Sequence, residues 1–517
     1  MSDIQYTPIT LWQDFNKADV DLEINAVTSR RSGYLTLKSL YFSGGIFAEY
    51  CRLSKKFPDR SMPALIIISE PGARADFGLM RRMAKEGYAV LWPDLDTSCG
   101  EDNPAPVKYD FKDPKESCWY LWGAAAMRAV TVLSAFPEVD RRKVGLIAIG
   151  KACATAGMAG AADERINRIC LLFGDTSGFS YEDQYMQKQY AASLSFASYA
   201  QHIKCPVLYM GATNESAYDI LDACEVLSKV PVAANSSLSL SERLDHEIGF
   251  AQSGNIAAWF DGMRKGLAPP NRPSAAFRVS EDKLYCVFNV PEGQTVSGVK
   301  AYYSYGDGPL RIRDWSAAPM QEVGAGEYVA KIAVYEKLQV SAFVSAEYGN
   351  GLALSTRIIS KDFSELKISG QNPDKRRLVY SSERGTGNFT SVNNRTAFHR
   401  VPNVIMCEGP LGLPGVTNNA GFLACYIWGG PGGKGGDTLL IDIAADSSVN
   451  VKITVKDAEN GEYTAEVYVK QDEWQKLSLE AKLFKTSDNL TLSAYPEAAL
   501  LYFKAPRRIY IRNMLWA

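Results

Sequence analysis

Up to residue 266 short apolar runs alternate with helix-like stretches, and beyond it helical periodicity disappears. That change of period limits the folds open to the chain more than any other feature. ALIIIS (64–69), YAVLWPDLD (88–96), KVGLIAI (143–149), RICLLFG (168–174) and PVLYMGATNE (206–215) read as buried strands. Between them lie RRMAKEG (81–87), a helix end stopped by Gly87, and CWYLWGAAAMRAVTVLSAF (118–136), ended by Pro137. A small-residue helix begins near Ala152, and IAAWFDGMRKG (256–266) is amphipathic. Apolar strands that each feed a helix build a parallel sheet covered on both faces.

LAPPNRPS (267–274) reads as a linker, because prolines in a polar stretch stop regular structure. The strand-like runs LYCVFNV (284–290), VKAYYSY (299–305), YVAKIAV (328–334) and VSAFVSAEY (340–348) follow, a span the size of an immunoglobulin-like sandwich. KISGQNPDKRR (367–377) marks a second boundary. TLLIDIAA (438–445), VNVKITVK (449–456), YTAEVYVK (463–470), QKLSLEAK (475–482) and RIYIRNMLW (508–516) then suit a jelly roll. The expected order is an α/β domain over 1–266, an immunoglobulin-like β-sandwich over 272–362 and a jelly-roll-like β-sandwich over 368–517. Three domains also match 517 residues at roughly 100–200 per domain.

Charge and cysteine usage narrow the function classes. Lys+Arg (56) and Asp+Glu (58) nearly cancel, so a phosphate-driven nucleic-acid partner is not expected. No run of about 18 apolar residues predicts a membrane span. The 10 cysteines form no CxxC pair, which reads as free thiols in a reducing compartment. MSDIQYTPIT lacks a basic n-region and an apolar stretch, so a cytoplasmic location is expected, with an exported form open if a leader was removed. The three histidines, His202, His246 and His399, are far apart, so no metal and no cofactor is expected.

One turn carries the chemistry. VGLIAIGKACATAGMAG (144–160) runs from strand into helix, the setting of a G-x-S-x-G nucleophile elbow. Aligned on the strand, Ala148-Ile149-Gly150-Lys151-Ala152 covers the motif, and the nucleophile position is Gly150. Glycine has no side chain to attack a carbonyl. Cys153 falls about one helical turn later and reads as a small buried thiol. An acid is expected after the PVLYMGATNE strand, at Glu215 rather than Asp219. His246 in RLDHEIG stands before the closing helix, the alternative being a loop histidine bonded to Asp245. Oxyanion-hole donors would be the backbone N–H of Lys151 and one near Gly72 or Ala73, and the Lys151 side chain is read as a charge beside that pocket or a solvent-facing one.

From about Tyr34 to Gly266 the chain resembles α/β-hydrolases of the acetyl xylan esterase and dienelactone hydrolase-like group. The resembling pieces are PALIII with its glycine turn, DLDTSCGED, PEVDRRKVGLIAIG, DERI (163–166), CPVLYMGATNE and DHEIG…AAWFDGMRKG. The resemblance implies hydrolysis of carboxylic esters, often acetyl or acyl groups on carbohydrates, with a serine at the position of Gly150, an acid at Glu215 and the histidine at His246. The chain departs at the first of these.

The reading that follows is a carbohydrate-esterase-like protein without serine chemistry, retaining a site for a carbohydrate or acyl-ester ligand. Two alternatives stand beside it. One is a working ester hydrolase with an unusual site using His246. The other is a structural or assembly protein with a filled cleft, for which an oligomer is open. GGPGGKGGD (429–437) is followed by a strand, so it reads as a sheet connection and not a phosphate loop. Trp428 and Tyr426 beside it read as core or edge aromatics before sugar platforms. Asp94 and Asp96 stand at a strand end, where ligands bind and helices are capped.

Overall fold

The computed structural model describes residues 4–17, 22–43, 45–70, 72–99, 109–174, 176, 178–373, 377–390, 404–419, 421–428 and 437–517. The chain is mixed α/β in its first half and strand-built thereafter. The first half contains strands β1 (Asn25–Ser32), β2 (Leu35–Phe42), β3 (Ile46–Leu53), β4 (Met62–Ile68), β5 (Ala89–Pro93), β6 (Val139–Ile149), β7 (Ile166–Leu172), β8 (Val207–Ala212) and β9 (Ser236–Ser241). Its helices are α1 (Phe77–Lys85), α2 (Cys118–Ala135), α3 (Ala152–Ala162), α4 (Gln184–Ser193), α5 (Phe196–Tyr199), α6 (Ile220–Ser228) and α7 (Asn255–Lys265).

The sheet order is β1-β2-β3-β5-β4-β6-β7-β8-β9. The strands β5, β4, β6, β7, β8 and β9 run parallel, and β1 to β3 form an antiparallel extension. The central parallel strands are apolar on both faces, β4 (MPALIII) being buried at every position, because helices cover both sides. Leu79, Met80 and Met83 of α1 and Trp259 and Phe260 of α7 pack on one face. Trp122, Val130 and Leu133 of α2 and Met158 and Ala159 of α3 pack on the other. The chain thus leaves β4 toward one face and β6 toward the other. Adjacent strands of that kind open a crevice at their carboxyl ends. Ile68 pairs with Ala148, so the residues just after them, Glu70 and Gly150, stand at the same level in that crevice.

The proline-rich stretch after α7 ends the run of long helices, leaving among the described residues only the short α-helix Phe363–Leu366, but does not end the sheet. The next strands are β10 (Ala275–Ser280), β11 (Lys283–Asn289), β12 (Val296–Tyr305), β13 (Ser316–Pro319), β14 (Gln321–Gly324), β15 (Glu327–Ile332), β16 (Val340–Tyr348), β17 (Ala353–Ser355) and β18 (Ile359–Lys361). Some of these strands form a separate sheet in the order β10-β11-β15-β14. Others, in the order β17-β16-β12-β13, join the sheet of the first half through Ser355 opposite Leu238 of β9, giving a single 14-stranded sheet. Side chains stitch the seam: Ser239 Oγ donates to Ala353 O at 2.9 Å, and Asn255 Nδ2 donates to Ala353 O at 2.8 Å while its Oδ1 accepts from Ala353 N at 2.8 Å. Leu284, Phe288, Val344 and Leu354 share a core with Trp259 and Phe260.

Two further antiparallel sheets, of six and five strands, enclose a separate core that includes Leu423, Ile441, Ile453, Phe503 and Ile511. These sheets lean on the region of β10–β18, with Trp428 5.3 Å from Tyr335 and 6.1 Å from Tyr305 between ring centres. Tyr426 is fully buried, so both aromatics serve packing. Residues 429–436 of the glycine-rich segment, and His399, lie outside the described residues.

Candidate functional site

Gly150 follows β6 directly and is separated from α3 by Lys151. Its φ is +60°, in the left-handed region where glycine carries no steric penalty. Its N–H donates to Leu172 O at 2.9 Å, and its carbonyl accepts from Cys153 N at 3.1 Å. A β-carbon added here would fall closer to the carboxylate of Glu70 than nonbonded atoms can approach, Oε1 being the nearest atom. Glu70 Oε1 accepts from Lys151 N at 3.0 Å and from the Tyr218 hydroxyl at 2.9 Å. A carboxylate delivered from the end of β4 therefore fills the space in front of the elbow. It also takes the N–H expected to serve an oxyanion.

The second expected donor is engaged as well. Gly72 N donates to Asp96 Oδ2 at 2.5 Å, while Ala73 N closes a turn onto Glu70 O at 3.0 Å. Asp94 works locally: its Oδ1 accepts from Asp96 N at 3.1 Å, its carbonyl accepts from Thr97 Oγ1 at 2.7 Å, and burial pushes its carboxyl up. Lys151 does not face open solvent. Its Nζ lies 5.6 Å from the Tyr109 ring and 5.8 Å from the Phe179 ring, which stack on each other at 4.8 Å. Cys153 is fully buried and donates from Sγ to Ala148 O at 3.5 Å, within the core under the sheet.

Glu215 and His246 meet. His246 Nδ1 is 3.1 Å from Glu215 Oε1, which also accepts from Ala217 N at 3.0 Å. Asp245 turns away, accepting from Ser216 N at 2.9 Å, and Asp219 caps α6 by accepting from Leu221 N at 2.7 Å. Neither is the histidine's partner. The pair sits on two loops tied to each other: Arg243 N donates to Thr213 Oγ1 at 2.8 Å, and Thr213 Oγ1 donates to Asn214 Oδ1 at 2.8 Å. Asn214 Nδ2 reaches the carbonyls of Leu310, Arg311 and Arg313, so the segment between β12 and β13 braces the loop that carries Glu215. A cavity of about 180 Å³ lies there, lined by Glu215, Tyr218 and Arg311 among others.

The electrostatics follow from these contacts. Glu215 raises the His246 imidazole above its ordinary value through the hydrogen bond, against the opposing effect of burial. The His246 ring lies 4.6 Å from that of Phe173, and both residues have left-handed backbone, φ 54° and 49°. Strained conformations held next to each other are typical of functional sites. Glu247 is pushed up to about 8 by burial and by the nearby Asp245. Among the described residues, no group of three or more His, Cys, Asp or Glu could hold a metal ion. None of the described helices is long and apolar enough to cross a membrane.

Sequence reasoning assigned the loop after β4 only backbone donors and passed over Glu70. The signal was a carboxylate at the carboxyl end of a central parallel strand, where ligands bind.

No protein-family model and no curated protein matches the chain. Solved structures do. The chain is similar to acetyl xylan esterases. The Paenibacillus sp. R4 enzyme aligns over 51% of this chain and 95% of its own, at 14% identity and a TM-score of 0.43. Acetyl xylan esterase 1 of Thermoanaerobacterium sp. JW/SL YS485 aligns over 48% and 88%, at 14% identity and a TM-score of 0.40. A dienelactone hydrolase-like promiscuous phosphotriesterase from metagenomic libraries aligns over 46% and 88%, at 17% identity and a TM-score of 0.31.

Proposed function

We propose that the chain is an α/β-hydrolase-fold protein related to carbohydrate esterases that lacks serine-type hydrolase activity and keeps a ligand site beside His246. The observation that carries this reading is Gly150 at the strand-to-helix turn, with the Glu70 carboxylate in the space a side chain there would need. The Glu215–His246 hydrogen bond supports a site that has kept its other parts. Carbohydrate or acyl ligands fit the part-exposed Tyr109 and Phe179 rings beside Lys151, since aromatic faces stack on sugar rings.

The test pairs a fluorophosphonate probe with p-nitrophenyl acetate. No serine of residues 1–266 should be labelled, and hydrolysis should stay at the level of the free-imidazole reaction. Stoichiometric labelling of one serine would overturn the reading. Titration with acetylated xylo-oligosaccharides should show binding that His246→Ala weakens.

A second reading, a structural protein with a filled cleft, is favoured by one observation. Glu70 and Asp96 occupy both backbone donors expected to meet a carbonyl. Absence of binding by any acyl or glycan probe would move the balance to it.

A further inference from the structure

Glu70 stands where a reacting group belongs, yet comes from the wrong strand for a nucleophile elbow. Its Oε1 lies about one covalent bond length from the position of the missing β-carbon of residue 150, near where a serine hydroxyl oxygen would stand. Two donors converge on that oxygen, Lys151 N–H at 3.0 Å and the Tyr218 hydroxyl at 2.9 Å. The Gly72 N–H is held by Asp96. An incoming ester carbonyl therefore meets no unengaged backbone donor of the expected set, and direct attack on an acyl group needs such donors for its oxyanion. Displacement at a saturated carbon does not, because its first step builds no oxyanion. It needs an aligned carboxylate, an electrophile and a leaving group.

We propose that Glu70 is a catalytic nucleophile toward a saturated carbon bearing an oxygen leaving group, an epoxide being the simplest such substrate, and that His246 with Glu215 hydrolyses the resulting glutamyl ester. This rests on the reading that residue 150 supplies no nucleophile. In the first step Glu70 Oε2, the carboxylate oxygen not held by Lys151 N–H and the Tyr218 hydroxyl, bonds to a ring carbon, the ring C–O bond breaks with its electron pair, and the alkoxide takes a proton from solvent water. In the second, water adds to the Glu70 carboxyl carbon while His246 accepts its proton. The negative charge gathers on the oxygen already held by Lys151 N–H and the Tyr218 hydroxyl, so the two contacts seen at rest become the oxyanion donors of the slow half-reaction. Collapse expels the alcohol, which takes the proton from His246. The carboxylic acid left on Glu70 ionises and returns the proton borrowed from solvent. The sum is epoxide plus water to vicinal diol.

Two other features fit this assignment. Glu215 keeps its side chain 1% exposed and bonded to the imidazole, which orients a base toward water. The stacked Tyr109 and Phe179 rings flank Lys151 and offer an apolar wall to an aryl or alkyl epoxide.

Styrene oxide is the probe, used with the full chain. His246→Gln should accumulate one adduct, mapped to Glu70 by peptide mass spectrometry and released by hydroxylamine. Wild type should form diol and, in a single turnover in ¹⁸O-water, carry ¹⁸O into Glu70. Glu70→Gln should lose diol formation, adduct and label while keeping its circular dichroism. No adduct in folded His246→Gln, an adduct at another residue, or diol formation by Glu70→Gln equal to wild type would each overturn the proposal. A melting temperature lowered by Glu70→Gln, with no adduct in wild type or His246→Gln, would make Glu70 a structural cap only and overturn it as well. Fluorophosphonate labelling of the same samples separates this failure from failure of the reading of residue 150.

Discussion

Restoring the absent hydroxyl tests the site most directly. Gly150→Ser places a β-carbon and an oxygen in space held by Glu70 Oε1, Cδ and Cγ. The glutamate must swing away, breaking the bonds from Lys151 N and the Tyr218 hydroxyl. Hydrogen bonds to a charged group contribute about 1.5–3 kcal/mol each, and partial exposure of Glu70 reduces that. A non-glycine residue at φ +60° adds about 1 kcal/mol. The expected destabilisation is about 2–4 kcal/mol. Glu70→Ala removes the same two bonds without the clash, so the double variant should be more stable than additivity predicts by about 1–2 kcal/mol. Denaturant unfolding of the four proteins measures this. In parallel, fluorophosphonate should label the introduced serine in the double variant and fail to do so in Gly150→Ser alone, where the carboxylate competes for the space and for the oxyanion donor. Gly150→Ser within about 0.5 kcal/mol of wild type, additive with Glu70→Ala and already reactive alone, would refute the reasoning.

Glu215→Gln should lower the His246 titration, followed by NMR, because the hydrogen-bonded carboxylate is the main cause of its raised value. That raised value gives stability in full below pH about 6.5, lost as pH rises through the folded-state value, so in Glu215→Gln this loss should shrink. Glu247 has the same sign for another reason. It stays protonated when folded up to about 8, so stability should fall between pH 4.5 and 8 by about 2 kcal/mol after allowance for screening, and Glu247→Gln should flatten that slope in urea titrations. Asn255→Ala removes two bonds across the seam to Ala353 and a third to Ser239 of β9, and should cost about 2–4 kcal/mol, splitting one unfolding transition into two by calorimetry.

The parallel strands and their helices were legible because the period of the sequence changes with each element: ALIIIS and KVGLIAI cannot be half-exposed, and CWYLWGAAAMRAV is too long for a strand. β9 was hidden because SSLSLS reads as loop. Its serines are buried all the same, since Ser239 Oγ donates to Ala353 O and Ser236 Oγ to Leu227 O. The positions of Glu215 and His246 came from order along the chain, but their contact depends on loops fastened by Thr213, Asn214 and the backbone at 310–313. Glu70 could not be found that way. Its role depends on β4 lying beside β6 although residues 69–138 stand between them in the chain, a neighbourhood that no local pattern records.

The seam at Ser355 and Leu238 also bears on how the molecule could be divided. A fragment stopping at Gly266 would strip β9 of its outer neighbour and divide the apolar core that Trp259 and Phe260 share with Leu284 and Val344. Unpaired strand edges beside apolar surface invite aggregation. The two lobes therefore share one sheet across this seam. The space in front of Gly150 is held by the Glu70 carboxylate and by the Tyr218 hydroxyl bonded to it, both carried on loops of the first half and not by the strands across the seam.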